Sequence, residues 1–129
     1  MRSRIARALI ALVVLVPALV PAACGGAATA APPSYPPGAI VVTADARKFD
    51  TSQLVVPANA RFTLVLVNED SDQHNVAIRT MPSFDGEIVF RHDPISKSTF
   101  TTEVGPIAAG TYYFLCELHP TMTGTVVAQ

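Results

Sequence analysis

Between residues 40 and 129 the apolar side chains do not recur at helical spacing; short β-branched runs are instead cut every few residues by turn-forming Gly, Pro, Asn and Asp. Strands of this kind bury their apolar sides only by stacking, which confines the chain to an all-β sandwich or barrel. With 129 residues there is material for one such domain and not for two with separate cores. Multidomain enzymes are thereby excluded.

About eight strands are expected. Residues 40–43 and 53–56 read as the first two, followed by a Pro57-Ala58-Asn59 turn in which Asn59 tolerates positive φ. Residues 61–68 alternate Phe62, Leu64 and Leu66 with Thr63, Val65 and Val67. Being apolar on both faces, this segment predicts a central, doubly covered strand. The polar stretch 69–73 predicts a loop, 74–78 a strand, 86–90 a short strand, and 97–104 a strand ended by Gly105-Pro106. Residues 111–116 and 124–128 close the set, joined by a loop over 117–123.

Upstream, Arg2, Arg4 and Arg7 precede an apolar run over residues 8–20 and then small residues, the three zones of a secretory signal peptide over 1–24. Pro17 and Pro21 interrupt the run, which is too short for a membrane-spanning helix. Cys24, after Ala22-Ala23 and before Gly25-Gly26, resembles a lipobox cysteine, with Pro21 in place of the usual Leu. Acylated there, it would anchor the chain to a membrane face; cleavage after Ala30 is the alternative and discards it. Residues 25–38, all Gly, Ala, Pro, Ser and Thr apart from Tyr35, make a tether, and 39–129 the folded domain. Loss of residues 1–24 leaves six Lys plus Arg against ten Asp plus Glu, a net charge of −4. With no Trp and no basic surface, the chain lacks what nucleic-acid binding requires, and its charge does not draw it to an anionic bilayer. The expected location is outside the cytoplasm, periplasmic or at the outer face of the cell membrane.

Both processing routes remove Cys24 from disulfide pairing, so Cys116 remains a lone thiol in an exported domain. Cys116, His119 and Met122 follow at intervals of three, and Pro120 prevents the segment from becoming helical. Singly, each residue has an ordinary structural reading as a core or loop residue. Jointly, a thiolate, an imidazole and a thioether suit copper, which takes trigonal His2Cys coordination with a long axial Met, and do not suit Mg²⁺ or Ca²⁺. The set needs a second histidine. His74 begins the strand after the loop over 69–73, and an antiparallel sandwich can bring that loop end beside the last inter-strand connection. His92, between Arg91 and Asp93-Pro94, has no ligand spacing and is expected at the surface.

Residues 40–129 resemble the cupredoxins, the small blue copper proteins that include plastocyanin, pseudoazurin and amicyanin. The resemblance is carried by Val56-Pro57-Ala58, Asn68 to Asp70, His74-Asn75-Val76, Gly110-Thr111-Tyr112-Tyr113-Phe114, Cys116, His119-Pro120, Met122 and Gly124. The short ligand loop is similar to amicyanin's. This resemblance implies a Greek-key β-sandwich holding one type 1 copper ion that cycles between Cu(I) and Cu(II). His74 and His119 would be its imidazole ligands, Cys116 its thiolate and Met122 its axial donor. It further implies a monomeric electron shuttle that docks briefly and weakly with a redox partner, the electron leaving through His119 amid Pro120, Met81 and Pro82.

Two departures from the family pattern matter, and Pro120 adds a third consideration. Asn59 stands where the family often has Gly. Glu117 stands where many members have Thr or Ser to bond the Asn beside the first His, which puts that link from Asn75 in question. Pro120 removes an N–H that could point at the Cys116 sulfur, leaving the thiolate electron-rich and lowering the expected potential. Three histidines are too few for a copper oxidase or nitrite reductase, and a dinuclear centre needs a second Cys in the loop, so no enzyme is expected. The alternative from another class is a copper carrier or storage module that delivers copper to another exported protein.

Overall fold

In the computed structural model, which describes residues 31–129, the β-branched and aromatic runs form nine strands in two sheets. They are β1 (Ile40–Asp45), β2 (Lys48–Phe49), β3 (Gln53–Val56), β4 (Phe62–Asn68), β5 (Ala77–Arg79), β6 (Ile88–Arg91), β7 (Ser98–Val104), β8 (Gly110–Cys116) and β9 (His119–Ala128). One sheet has the order β2-β1-β4-β7 and the other β3-β9-β8-β5-β6. The pairs β1–β4 and β3–β9 are parallel and the others antiparallel. No helix occurs among the described residues, and the all-β sandwich is the architecture observed. The signal segment, Cys24 and the first part of the tether lie outside the described residues.

Alternation places the core. On β4, between β1 and β7, Phe62, Leu64 and Leu66 are buried in the core cluster, while Val65 on the opposite face is also fully buried. Across the sandwich, Phe114 of β8 is fully buried and tilts against Phe49 of β2, with 5.2 Å between ring centroids. Gly124 pairs with Phe114 across β8–β9, and a Cβ there would enter the Phe114 ring and lie 2.6 Å from the Ser52 carbonyl oxygen. The aromatic ring therefore takes the space that any side chain at 124 would need.

Three expectations change. β2, two residues long and too short to show alternation, raises the strand count to nine; Ala46 and Arg47, both at positive φ, turn β1 into it. His74 does not open a strand but forms an isolated bridge with Ile95, and β5 starts at Ala77. The connection expected over 117–123 contracts to Glu117 and Leu118, because β9 already begins at His119. The β8–β9 register shifts from Leu115↔Thr123 to Cys116↔His119, leaving Pro120, Thr121 and Met122 without partners. Pro120, with no N–H to offer a ladder, suits such a bulge.

Candidate metal centre

The tight β8–β9 turn sets Cys116 opposite His119, and the bridge to Ile95 fixes His74 beside them. Cys116 and His74 are fully buried, His119 is half-buried and Met122 is buried in the core cluster that includes Cys116. Cys116 is a free thiol whose Sγ lies 3.7 Å from Nδ1 of His74 and 3.7 Å from Nδ1 of His119. One donor atom from each of the three residues falls within 4.8 Å of the others. The two imidazoles, 44° apart, have centroids separated by 4.6 Å.

These separations fit a metal. Nitrogen and sulfur donors about 2.0 and 2.3 Å from one ion stand about 3.7 Å apart when the angle between them is roughly 120°, the trigonal His2Cys arrangement. The sequence-predicted residues His74, Cys116 and His119 therefore converge, and Met122 follows on the bulge three residues beyond His119.

The surroundings orient the donors. His74 Nε2 lies 2.9 Å from Asp70 Oδ2; a carboxylate only accepts, so Nε2–H donates and the Nδ1 lone pair faces Cys116. Asp70 Oδ2 also accepts the Arg47 backbone N–H, and Arg47 forms an ion pair with Asp72. That backbone N–H, opposed by burial and aided by the His74 ring, holds the Asp70 carboxyl below its ordinary range. Asn68 Nδ2 donates to the carbonyls of Asp72 and Ile95, bracing the loop from both sides. Asp70 had a signal in the sequence, a carboxylate four residues before a candidate ligand.

The link from Asn75 forms despite Glu117. Glu117 N–H donates to Asn75 Oδ1 at 2.9 Å, and Asn75 Nδ2 donates to Glu117 Oε2 at 2.9 Å and to the His92 carbonyl at 3.1 Å. A carboxylate oxygen accepts as a hydroxyl would, and its longer stem spans the gap. Burial pushes the Glu117 carboxyl up, but bonds from Asn75 and Arg79 outweigh it and hold the group below its ordinary value.

His92, expected at the surface, is only 7% exposed. Its ring stacks on Phe100 at 4.3 Å between centroids, its Nε2 accepts the Val76 N–H at 3.0 Å, and Nδ1 donates to the Asp93 carbonyl at 2.7 Å. The neutral imidazole thus replaces a strand carbonyl for the segment that carries His74. Burial, opposed by the Asp93 carbonyl, pushes its pKa down. Nothing near it in sequence signals this, because both Phe100 and Val76 reach it through tertiary contact.

A family model described as a cupredoxin-like domain matches residues 8–128. Amicyanin-alpha of Methylorubrum extorquens is 30% identical over 108 residues, covering 84% of this chain and 87% of that protein. A variant of amicyanin in its reduced Cu(I) form at pH 4 is 28% identical with a TM-score of 0.55, covering 74% of this chain and 86% of the other. Auracyanin A, a "blue" copper protein from Chloroflexus aurantiacus, has the same fold, with a TM-score of 0.61 at 20% identity over 70% of this chain and 98% of its own.

Proposed function

The chain belongs to the cupredoxin-like family, and on that basis we propose that it is an exported mononuclear type 1 copper protein that carries single electrons between redox partners. The observation that supports this most directly is the triangle of one thiol and two imidazole nitrogens, buried at Cys116 and His74 and half-buried at His119, with 3.7 Å edges at Cys116. Bound there, copper supplies a one-electron Cu(II)/Cu(I) couple. His74, Cys116 and His119 would hold it through two imidazoles and a thiolate, and the Met122 thioether would be the fourth, weaker donor.

The protein's part is to keep those donors in one arrangement through both oxidation states. His74 is fixed at its backbone by Ile95 and at its ring by Asp70. Cys116 and His119 are paired across a two-residue turn. Little rearranges when the charge changes, and that keeps electron transfer fast. His119, the half-buried member, is the route to a partner, beside exposed Leu118 and Pro120. Residues 1–24 direct export, and Cys24 provides an acyl anchor when the lipobox route is taken.

Titration of the purified domain with Cu(II) tests the assignment. An intense visible thiolate-to-copper band should develop and be abolished in Cys116→Ser, since a hydroxyl is a harder and less oxidisable donor. Rapid electron self-exchange supports the shuttle. Slow exchange with ready loss of copper to a competing chelator would identify a copper carrier instead.

A further inference from the structure

Glu117 places a carboxylate on the residue next to Cys116, where the donor set does not need one. Its main chain and side chain close a two-bond clamp on Asn75, joining the residue after His74 to the residue after Cys116. Its other oxygen, Oε1, accepts from an Arg79 terminal nitrogen at 2.5 Å, and Arg91 Nε stands 3.8 Å from Oε2. The Arg79 side chain is 7% exposed. Its second terminal nitrogen donates to the carbonyls of Phe84 and Gly86, its guanidinium lies 5.7 Å from the Phe84 ring centroid, and its buried Nε has no partner among the described residues. A guanidinium tied to two carbonyls of the β5–β6 connection cannot swing into solvent, so the backbone itself fixes the cation that meets Glu117.

We propose that Glu117 and Arg79 are a positioning pair for the copper ligands: their contact holds the Asn75 clamp closed, balances the charge beside the Cys116 thiolate, and thereby sets the Cu(II)/Cu(I) balance. This rests on the copper reading above. The electrostatic consequence has a definite sign for each partner. Without the carboxylate, the Arg79 charge is left near the metal and favours the less positive Cu(I), raising the potential. Without Arg79, the carboxylate faces only the exposed Arg91 and favours Cu(II), lowering the potential. Removing both charges restores the balance. A pair that served packing alone would weaken the fold without giving opposite signs.

The test uses the full chain with Glu117→Gln, Arg79→Gln, the double variant, and Arg79→Lys, which keeps the charge but cannot span Glu117 and both carbonyls. In the metal-free protein, hydrogen exchange of the Glu117 backbone N–H should accelerate about tenfold or more in Arg79→Gln and in Arg79→Lys, because the clamp is no longer braced. In the copper-loaded protein, with the visible band retained, the potential should rise in Glu117→Gln, fall in Arg79→Gln, and return towards the wild-type value in the double variant and in Arg79→Lys. Unchanged exchange, or potential shifts of the same sign in both Gln variants, overturns the proposal. Failure of the wild type to develop a visible band overturns the copper reading instead, and the metal-free exchange data still decide whether the clamp depends on the pair.

Discussion

Asp70 Oδ2 accepts from both His74 Nε2 at 2.9 Å and the Arg47 backbone N–H at 3.1 Å, so a single carboxylate oxygen joins a buried imidazole to the β1–β2 turn. Arg47 and Ala46 both occupy the left-handed region, with φ of 56° and 49°. That conformation is costly for non-glycine residues and is maintained here by the contacts of Arg47 with Asp70 and Asp72. The turn thus acts on the far side of the His74 ring, away from Cys116.

Asp70→Asn should keep the shape of this contact, because an amide oxygen also accepts, but lose the charge that makes the imidazole a better donor. Copper affinity is expected to fall about 10- to 100-fold with the fold intact. Chelator competition measures the affinity, and far-ultraviolet circular dichroism of the metal-free variant checks the fold.

Met122→Leu should retain copper and the visible band while the reduction potential moves upward. The substitution keeps the buried volume and removes the thioether that supports the more highly charged Cu(II). Met122→Gln should move the potential downward. Protein-film voltammetry reads both, and an unchanged potential in fully loaded Met122→Leu would make Met122 a packing residue only.

His92 makes the metal-free fold sensitive to mild acid. Its folded pKa lies below the unfolded value of about 6.5, so below that pH the unfolded chain takes up a proton that the folded chain refuses. Stability contributed by the neutral ring is therefore present above that value and declines as the pH falls from about 6.5 towards the folded pKa. His92→Gln, whose Oε1 can accept the Val76 N–H, should flatten this part of a melting-temperature profile. The stability due to Asp70 and Glu117, whose carboxyls are held down, is present above their unfolded values and is lost only below about pH 4.5, in a separate window.

Gly124→Ala should destabilise the domain by about 1–3 kcal/mol, the usual cost of forcing extra volume into a packed core. The added carbon meets the Phe114 ring and the Ser52 carbonyl, and the latter is backbone that cannot rotate aside. Urea unfolding should show a lower midpoint at an unchanged slope.

The local pattern of residues determined much of this protein. The alternation of β4, the positive φ of Asn59 at 57° and the spacing of Cys116, His119 and Met122 can each be read within a few residues, because strand faces, turn conformations and close ligand spacing are properties of adjacent side chains. The convergence of His74 with Cys116, 42 residues away, follows less directly, from the need for a second imidazole and from the loop end that an antiparallel sandwich can bring beside the last connection. Only tertiary structure decided that Arg79 meets Glu117 across 38 residues, that β2 packs Phe49 on Phe114, and that His92 leaves solvent for Phe100 and Val76. A strand's own residues specify which of its faces is apolar, but its neighbours and their register are set by the packing of both sheets together. The charge pairs and substitute acceptors around the donor set depend on that register, so no short stretch of the chain encodes them.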